Sequence, residues 1–174
     1  MEYTNVLTML DLGGIPLHTV DRTLEHPLVL AGGPCALAPE PLADFIDVVV
    51  IGDGEETFPA VVRRWAELRR EGARTREEML IAIAQMGGMY VPSLYRTELD
   101  AETGFLIVAG PRDGIDVPFP VRREIVEDLD RFPYPTQTLV PYGELVHDRV
   151  SVEIARGCTE GCRFCQAGII YRPV

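Results

Sequence analysis

Cys158, Cys162 and Cys165 stand in the run Arg156-Gly-Cys-Thr-Glu-Gly-Cys-Arg-Phe-Cys165, a C-x3-C-x2-C array. Three thiolates from one short loop can hold three irons of a cubane iron–sulfur cluster and leave the fourth iron without a protein ligand. An iron with an open position can bind a substrate or cosubstrate, so the array is a candidate for chemistry carried by a cofactor. Other readings compete. At offsets of four and three the cysteines could line a buried helix face as small hydrophobes. Gly157 and Gly161 oppose this, because glycines so close together weaken a helix and favour a loop. A structural zinc site wants a fourth ligand, and the nearest histidine, His147, precedes a predicted strand instead of completing a compact knuckle. Disulfide pairing leaves one of the three without a mate unless distant Cys35 serves. Of the four cysteines in the chain, three are clustered here, which suits ligation in a reducing compartment better than a disulfide framework.

The array resembles the signature of the radical S-adenosylmethionine (radical SAM) enzymes, C-x3-C-x-aromatic-C, with Phe164 in the aromatic place. Residues 150–173 are also similar to a branch of that family whose members carry a cobalamin-binding-type Rossmann domain ahead of the radical barrel. The resemblance implies that Cys158, Cys162 and Cys165 ligate a 4Fe-4S cluster and that S-adenosylmethionine chelates the open iron, with Phe164 beside it. An electron from the cluster would then cleave the sulfonium to a 5'-deoxyadenosyl radical that abstracts hydrogen from a substrate. It further implies a reductant protein such as flavodoxin or ferredoxin as partner. The substrate stays open, since methyl transfer, methylthio transfer to RNA or protein, and ring rearrangement all begin with that radical. A zinc-stabilised or metal-free α/β binding module without catalysis is the alternative.

Ala31-Gly32-Gly33-Pro34 resembles the glycine-rich turn that lies against the nucleotide tail of the cofactor in cobalamin-type domains, which makes Gly32 and Gly33 candidate cofactor-binding residues. From the residues alone the run reads first as a tight strand-to-helix turn. The Asp-x-His-x-x-Gly pattern that supplies a histidine to cobalt in such domains is absent at His18, His26 and His147, so cobalamin is an open possibility without that ligand. Cys35 reads as a small buried residue. Gly52-Asp-Gly-Glu-Glu-Thr57 has threonine where a dinucleotide loop needs its third glycine, and its two carboxylates would repel a pyrophosphate. It reads as a capped turn opening a helix.

Hydrophobic content of 47% with 25% charged residues is that of an ordinary globular chain. No apolar run approaches the roughly 18 residues of a membrane span, and the start lacks the basic and apolar segments of a leader, which predicts a cytoplasmic protein. A net charge of -11 disfavours strong nonspecific binding of nucleic acid by this segment.

The elements that must carry these motifs follow from periodicity. Apolar residues from Thr4 to Leu12 recur at helical spacing and stop at Gly13-Gly14. Continuous apolar runs at Pro27 to Gly33 and Asp47 to Gly52 predict two parallel strands buried on both faces, with Gly32 and Gly33 at a carboxyl edge and a short helix between them from Pro39 to about Phe45. A helix is predicted from Glu55 to about Glu71, and a capping box at Thr75-Arg-Glu-Glu78 predicts another to about Gln85. A strand at Met89 to Leu94 and a hairpin of Arg96 to Leu99 with Phe105 to Ala109 come next. The prolines between Val117 and Pro141 predict a traversing linker with one helical turn at Arg123 to Leu129, and Val150 to Ala155 alternates as a strand before the cysteine loop.

The fold class is therefore α/β: a partial Rossmann-like (cobalamin-binding-type) parallel sheet over 1–86, a hairpin and proline-rich linker over 87–149, and the first strand and cluster loop of a truncated radical SAM barrel over 150–174. Opening on a helix without a preceding strand, and a short tail after Cys165, predict a fragment. The complete protein is expected to be an enzyme and this segment alone inactive.

Overall fold

The computed structural model describes residues 3–73, 75–134, 142–143, 152–153 and 156–170. The chain divides into two compact units, Met1–Glu127 and Asp128–Val174. The first opens on helix α1 (Tyr3–Leu12) and contains strands β1 (Leu30–Ala31) and β2 (Val48–Val50), helices α2 (Gly54–Glu71) and α3 (Arg76–Ala84), strand β3 (Met89–Tyr90), and the hairpin β4 (Tyr95–Leu99) and β5 (Leu106–Pro111).

β1 and β2 are parallel, with Leu30 opposite Val48 and Ala31 opposite Val49. Gly32 and Gly33 follow at the carboxyl end of β1, as the apolar runs predict. The sheet as a whole is mixed, because β3 runs antiparallel to β2 on its other side. This corrects the purely parallel expectation: two helices, α2 and α3, lie between β2 and β3, and Gly88, just before β3, accepts from the Ile51 amide just after β2, so β3 starts at the carboxyl end of β2 and runs back along it. Val48, Val49 and Val50 are buried, whereas β1 is a half-buried edge only two residues long. Its expected start, Pro27 to Val29, pairs only in part: the Val29 carbonyl accepts from the Asp47 and Val48 amides, but the donors of the segment do not join a ladder. Pro27 lacks a donor, and the Val29 amide donates to Asp47 Oδ2 at 2.8 Å instead of to a ladder. Pro92 likewise ends β3 early in a 3-10 turn, Pro92–Leu94. The short helix expected near Phe45 is replaced by 3-10 turns at Pro34–Leu37 and Glu40–Leu42.

α2 presents Val61, Trp65 and Leu68 to the core at offsets of four and three, and α3 adds Met79, Leu80, Ile83 and Ala84. The α3 capping box is complete: Thr75 Oγ1 accepts from the Glu78 amide at 3.1 Å, and the Glu78 carboxylate accepts from the Thr75 amide at 3.3 Å. The core continues through Tyr90, Val91, Leu94, Tyr95 and Val117, so the base of the hairpin belongs to it. The Tyr90 and Tyr95 rings lie 5.0 Å apart between centroids, and the Tyr95 hydroxyl donates to the Pro118 carbonyl at 2.7 Å. Burial pushes the Tyr90 phenol up to about 12, with Glu40 and then Tyr95 adding to the rise. Burial also raises Tyr95.

A buried ionic cluster fastens the irregular segment before β1. Asp47 Oδ2 accepts from Arg22 Nη1 at 3.0 Å and Arg76 Nη2 at 2.8 Å. Arg22 also donates to the carbonyls of Pro16, Leu17 and Phe45, and Arg76 to those of Thr23, His26 and Pro27. The Arg76 guanidinium lies 5.1 Å from the Trp65 ring centre, and its two Nη groups are turned to the chain while its buried Nε has no hydrogen-bond partner among the described residues.

The linker departs from expectation at Arg123 to Leu129. Glu124 forms a parallel bridge with Gly52, and the helical turn lies later, at Leu129–Arg131. Of the strand expected at 150–155, only Val152 and Glu153 are among the described residues. No closed barrel is present among the described residues.

Candidate metal centre

In the second unit, Glu153 and Arg156 lead into the cysteine loop as a two-pronged pair: Arg156 Nε donates to Glu153 Oε1 at 2.7 Å and Nη2 to Oε2 at 3.1 Å. Such a fork fixes the guanidinium plane more firmly than a single contact would. Gly157 follows with φ of +89°, a bend that a side-chain-bearing residue resists. The chain then runs irregularly past Cys158 and turns where the Cys165 amide donates to the Cys162 carbonyl at 3.2 Å. Helix α4 (Ala167–Ile170) begins immediately beyond, with the Ile170 amide donating to Gln166. No helix covers 158–165, so the cysteines do not form one face of a helix.

Cys158 and Cys165 are half-buried, Cys162 is exposed, and no cysteine is in a disulfide. Phe164 is 91% exposed, so its ring is not a core residue of this unit. Cys35 is exposed too, contrary to the expectation that it is a small buried residue, because it lies in the 3-10 turn Pro34–Leu37, which places Ala36 in the core instead. Among the described residues no three His, Cys, Asp or Glu side chains form a compact group that would close on one ion. The donor set nevertheless fits an iron–sulfur cubane. The three candidate donors are all sulfur and lie on one loop, and in such a cubane each would bind a different iron, so they need not converge as tightly as ligands of one ion.

The first unit holds a second arrangement, at the carboxyl end of β2. The Ile51 amide donates to Gly88 at 2.7 Å, the Glu124 amide to the Ile51 carbonyl at 3.0 Å, and the Asp53 amide to the Glu124 carbonyl at 2.9 Å. Asp53 occupies the N-cap position of α2, but its side chain makes no cap bond there; Oδ2 accepts from the Val126 amide at 2.8 Å. The expected capped turn is thus a turn whose carboxylate serves another segment. Glu55 and Glu56 lie in the first turn of α2, where its dipole favours them. Gly33 has φ of +89° and leads into the 3-10 turn, with open space where a Cβ would stand. At Gly32 a Cβ would meet only ordinary contacts with Val50, 3.7 Å away. Nothing in the sequence signals the Asp53–Val126 and Gly52–Glu124 contacts, since their partners are far apart along the chain and the Gly52–Thr57 run points only to the helix it opens.

Residues 1–92 match the family model described as radical SAM proteins, N-terminal. The chain belongs to that family. The match covers more than half of the chain and lies wholly outside the cysteine loop, so it reaches the family independently of the motif. No curated protein and no solved structure matches the chain.

A radical SAM protein with a cobalamin-binding-type domain would need a crevice at this sheet edge for the corrin. The residues here do not fit one: Glu124 lies against Gly52, Gly87 and Gly88, and none of the three histidines stands in the cobalt-ligating pattern.

No helix among the described residues is long and apolar enough to cross a membrane.

Proposed function

We propose that this chain is part of a radical SAM enzyme in which Cys158, Cys162 and Cys165 hold a 4Fe-4S cluster and S-adenosylmethionine is the cosubstrate. The observation that carries the reading is a C-x3-C-x-Phe-C loop in a chain whose residues 1–92 belong, on separate grounds, to the same family. When bound, the cluster supplies the electron that cleaves the sulfonium of S-adenosylmethionine to a 5'-deoxyadenosyl radical.

The chain supplies the frame. Gly157 bends the backbone into the loop, the Glu153–Arg156 fork steadies its approach, and the Cys162–Cys165 turn sets the second and third thiols on one reversal. Phe164, exposed within that turn, offers its ring to the cosubstrate. Gly32 and Gly33 act as the turn that ends β1, with no cofactor assigned to them. Residues 150–174 belong to the start of a radical barrel, and the α/β domain preceding it includes β3 and the base of the hairpin, beyond the expected limit at residue 86. A cytoplasmic flavodoxin or ferredoxin is the proposed electron donor, and hydrogen abstraction from a substrate belongs to the complete protein.

Adding S-adenosylmethionine to the reduced, anaerobically reconstituted chain should change its electron paramagnetic resonance spectrum. An unchanged spectrum from chain loaded with about four irons would overturn the cosubstrate assignment.

A further inference from the structure

We propose that the glycine-rich carboxyl end of the sheet is a docking socket for the chain's own segment Glu124 to Val126, and that this segment takes the place where an α/β sheet otherwise receives a cofactor. Ligands of open α/β sheets lie in the crevice beyond the carboxyl ends of parallel strands, where glycines let them approach the backbone. Here three glycines converge on a residue of the linker. A Cβ on Gly52 would lie 2.6 Å from the Glu124 nitrogen and closer still to its carbonyl oxygen. On Gly88 it would lie 2.7 Å from Glu124 Cγ, and on Gly87 it would overlap the Glu124 carboxylate. A side chain at Gly52 would displace the Glu124 main chain and one at Gly88 its side-chain stem, whereas at Gly87 the Glu124 carboxylate alone would have to move.

The socket holds main chain as well as side chain. Just beyond the end of β2, the Glu124 amide donates to the Ile51 carbonyl and its carbonyl accepts from the Asp53 amide. Asp53 then holds the Val126 amide with a carboxylate that a helix start would ordinarily use as a cap. An acceptor withdrawn from its own helix, together with one glycine against the Glu124 main chain and two against its side chain, marks a site built for this segment. The first unit ends at Glu127, so the socket fixes the point at which the chain leaves it for the cysteine-bearing unit. The inference does not depend on the cluster.

Hydrogen exchange read by mass spectrometry on the whole chain, with hydroxocobalamin as the cofactor probe, tests the socket. The segments containing Asp53, Glu124 and Val126 should be protected together. Gly87→Ala should speed their exchange several-fold while α3 stays protected, because Gly87 has no positive φ and its added methyl meets chiefly the mobile end of Glu124. Glu124→Ala should do the same without adding bulk, and carries the test if Gly87→Ala does not fold. Hydroxocobalamin should pass through gel filtration without being retained. Exchange of these segments at the rate of unstructured peptide, no response to Glu124→Ala, or retention of hydroxocobalamin at one per chain would overturn the proposal.

Discussion

Arg76, the first residue of α3, places Nη2 2.8 Å from Oδ2 of Asp47, the residue just before β2, and both side chains are almost wholly removed from solvent. A helix start and a strand start are thereby joined at one carboxylate, which Arg22 also reaches at 3.0 Å. Removing that carboxylate leaves two buried guanidinium groups without their counter-charge, the costly way to break a buried pair. Asp47→Ala should therefore lower the unfolding free energy by about 3–5 kcal/mol, measured by urea denaturation. A loss within the range of an ordinary surface substitution would show that the cluster contributes little.

Tyr90 predicts behaviour in alkali. Its phenol is raised to about 12 by burial, then by Glu40 and Tyr95, against about 10 for an unfolded tyrosine. The neutral ring is the form that the core accepts, so its contribution to stability is full below the unfolded value and is lost as pH rises through the folded one. Unfolding free energy should fall between about pH 10 and about 12, and Tyr90→Phe should flatten that fall. A phenolate absorbance titration showing every tyrosine ionised near the ordinary value would refute this.

Acid should act on the hairpin turn. Asp100 Oδ1 accepts from the Thr103 hydroxyl and amide, both at 2.7 Å, and from the Glu102 amide at 3.2 Å. The Thr103 hydroxyl bond, followed by that residue's backbone bond, holds the Asp100 carboxyl below the ordinary aspartate value. A depressed carboxyl lends its stability above the unfolded pKa and loses it as pH falls through the folded one. Carboxyl carbon NMR shifts should show Asp100 titrating below exposed aspartates, and Thr103→Val should move it back up. Titration at or above the ordinary value in the unmodified chain would contradict the turn geometry.

Local signals in the sequence are sufficient for the elements that have their own stops and caps. Gly13-Gly14 ends α1, the Thr75–Glu78 box starts α3, and the turn after Asp100 joins β4 to β5, all near their expected places. Parallel pairing of β1 with β2 was legible because two apolar runs stand either side of a short crossover. The direction of β3 was not, since a buried doublet such as Met89-Tyr90 has the same pattern read either way. Pro27 to Val29 looked like strand because its apolar pattern conceals that the Val29 amide is taken by the Asp47 side chain. Docking of the linker was invisible for a further reason: Val126 and Asp53 are 73 positions apart, and the run around Asp53 reads as the cap of its own helix. In the candidate metal centre, Gly157 and Gly161 correctly signalled a loop where spacing alone allowed a helix.

The central claim is that Cys158, Cys162 and Cys165 together hold one iron–sulfur cluster. Its most direct test is elemental analysis of the chain after anaerobic reconstitution with iron and sulfide, beside the three single Cys→Ser variants. About four irons and four sulfides per chain are predicted, with a large loss in each variant and no effect of Cys35→Ser. One stoichiometric zinc with no iron uptake, or iron loading indifferent to all three substitutions, would contradict it.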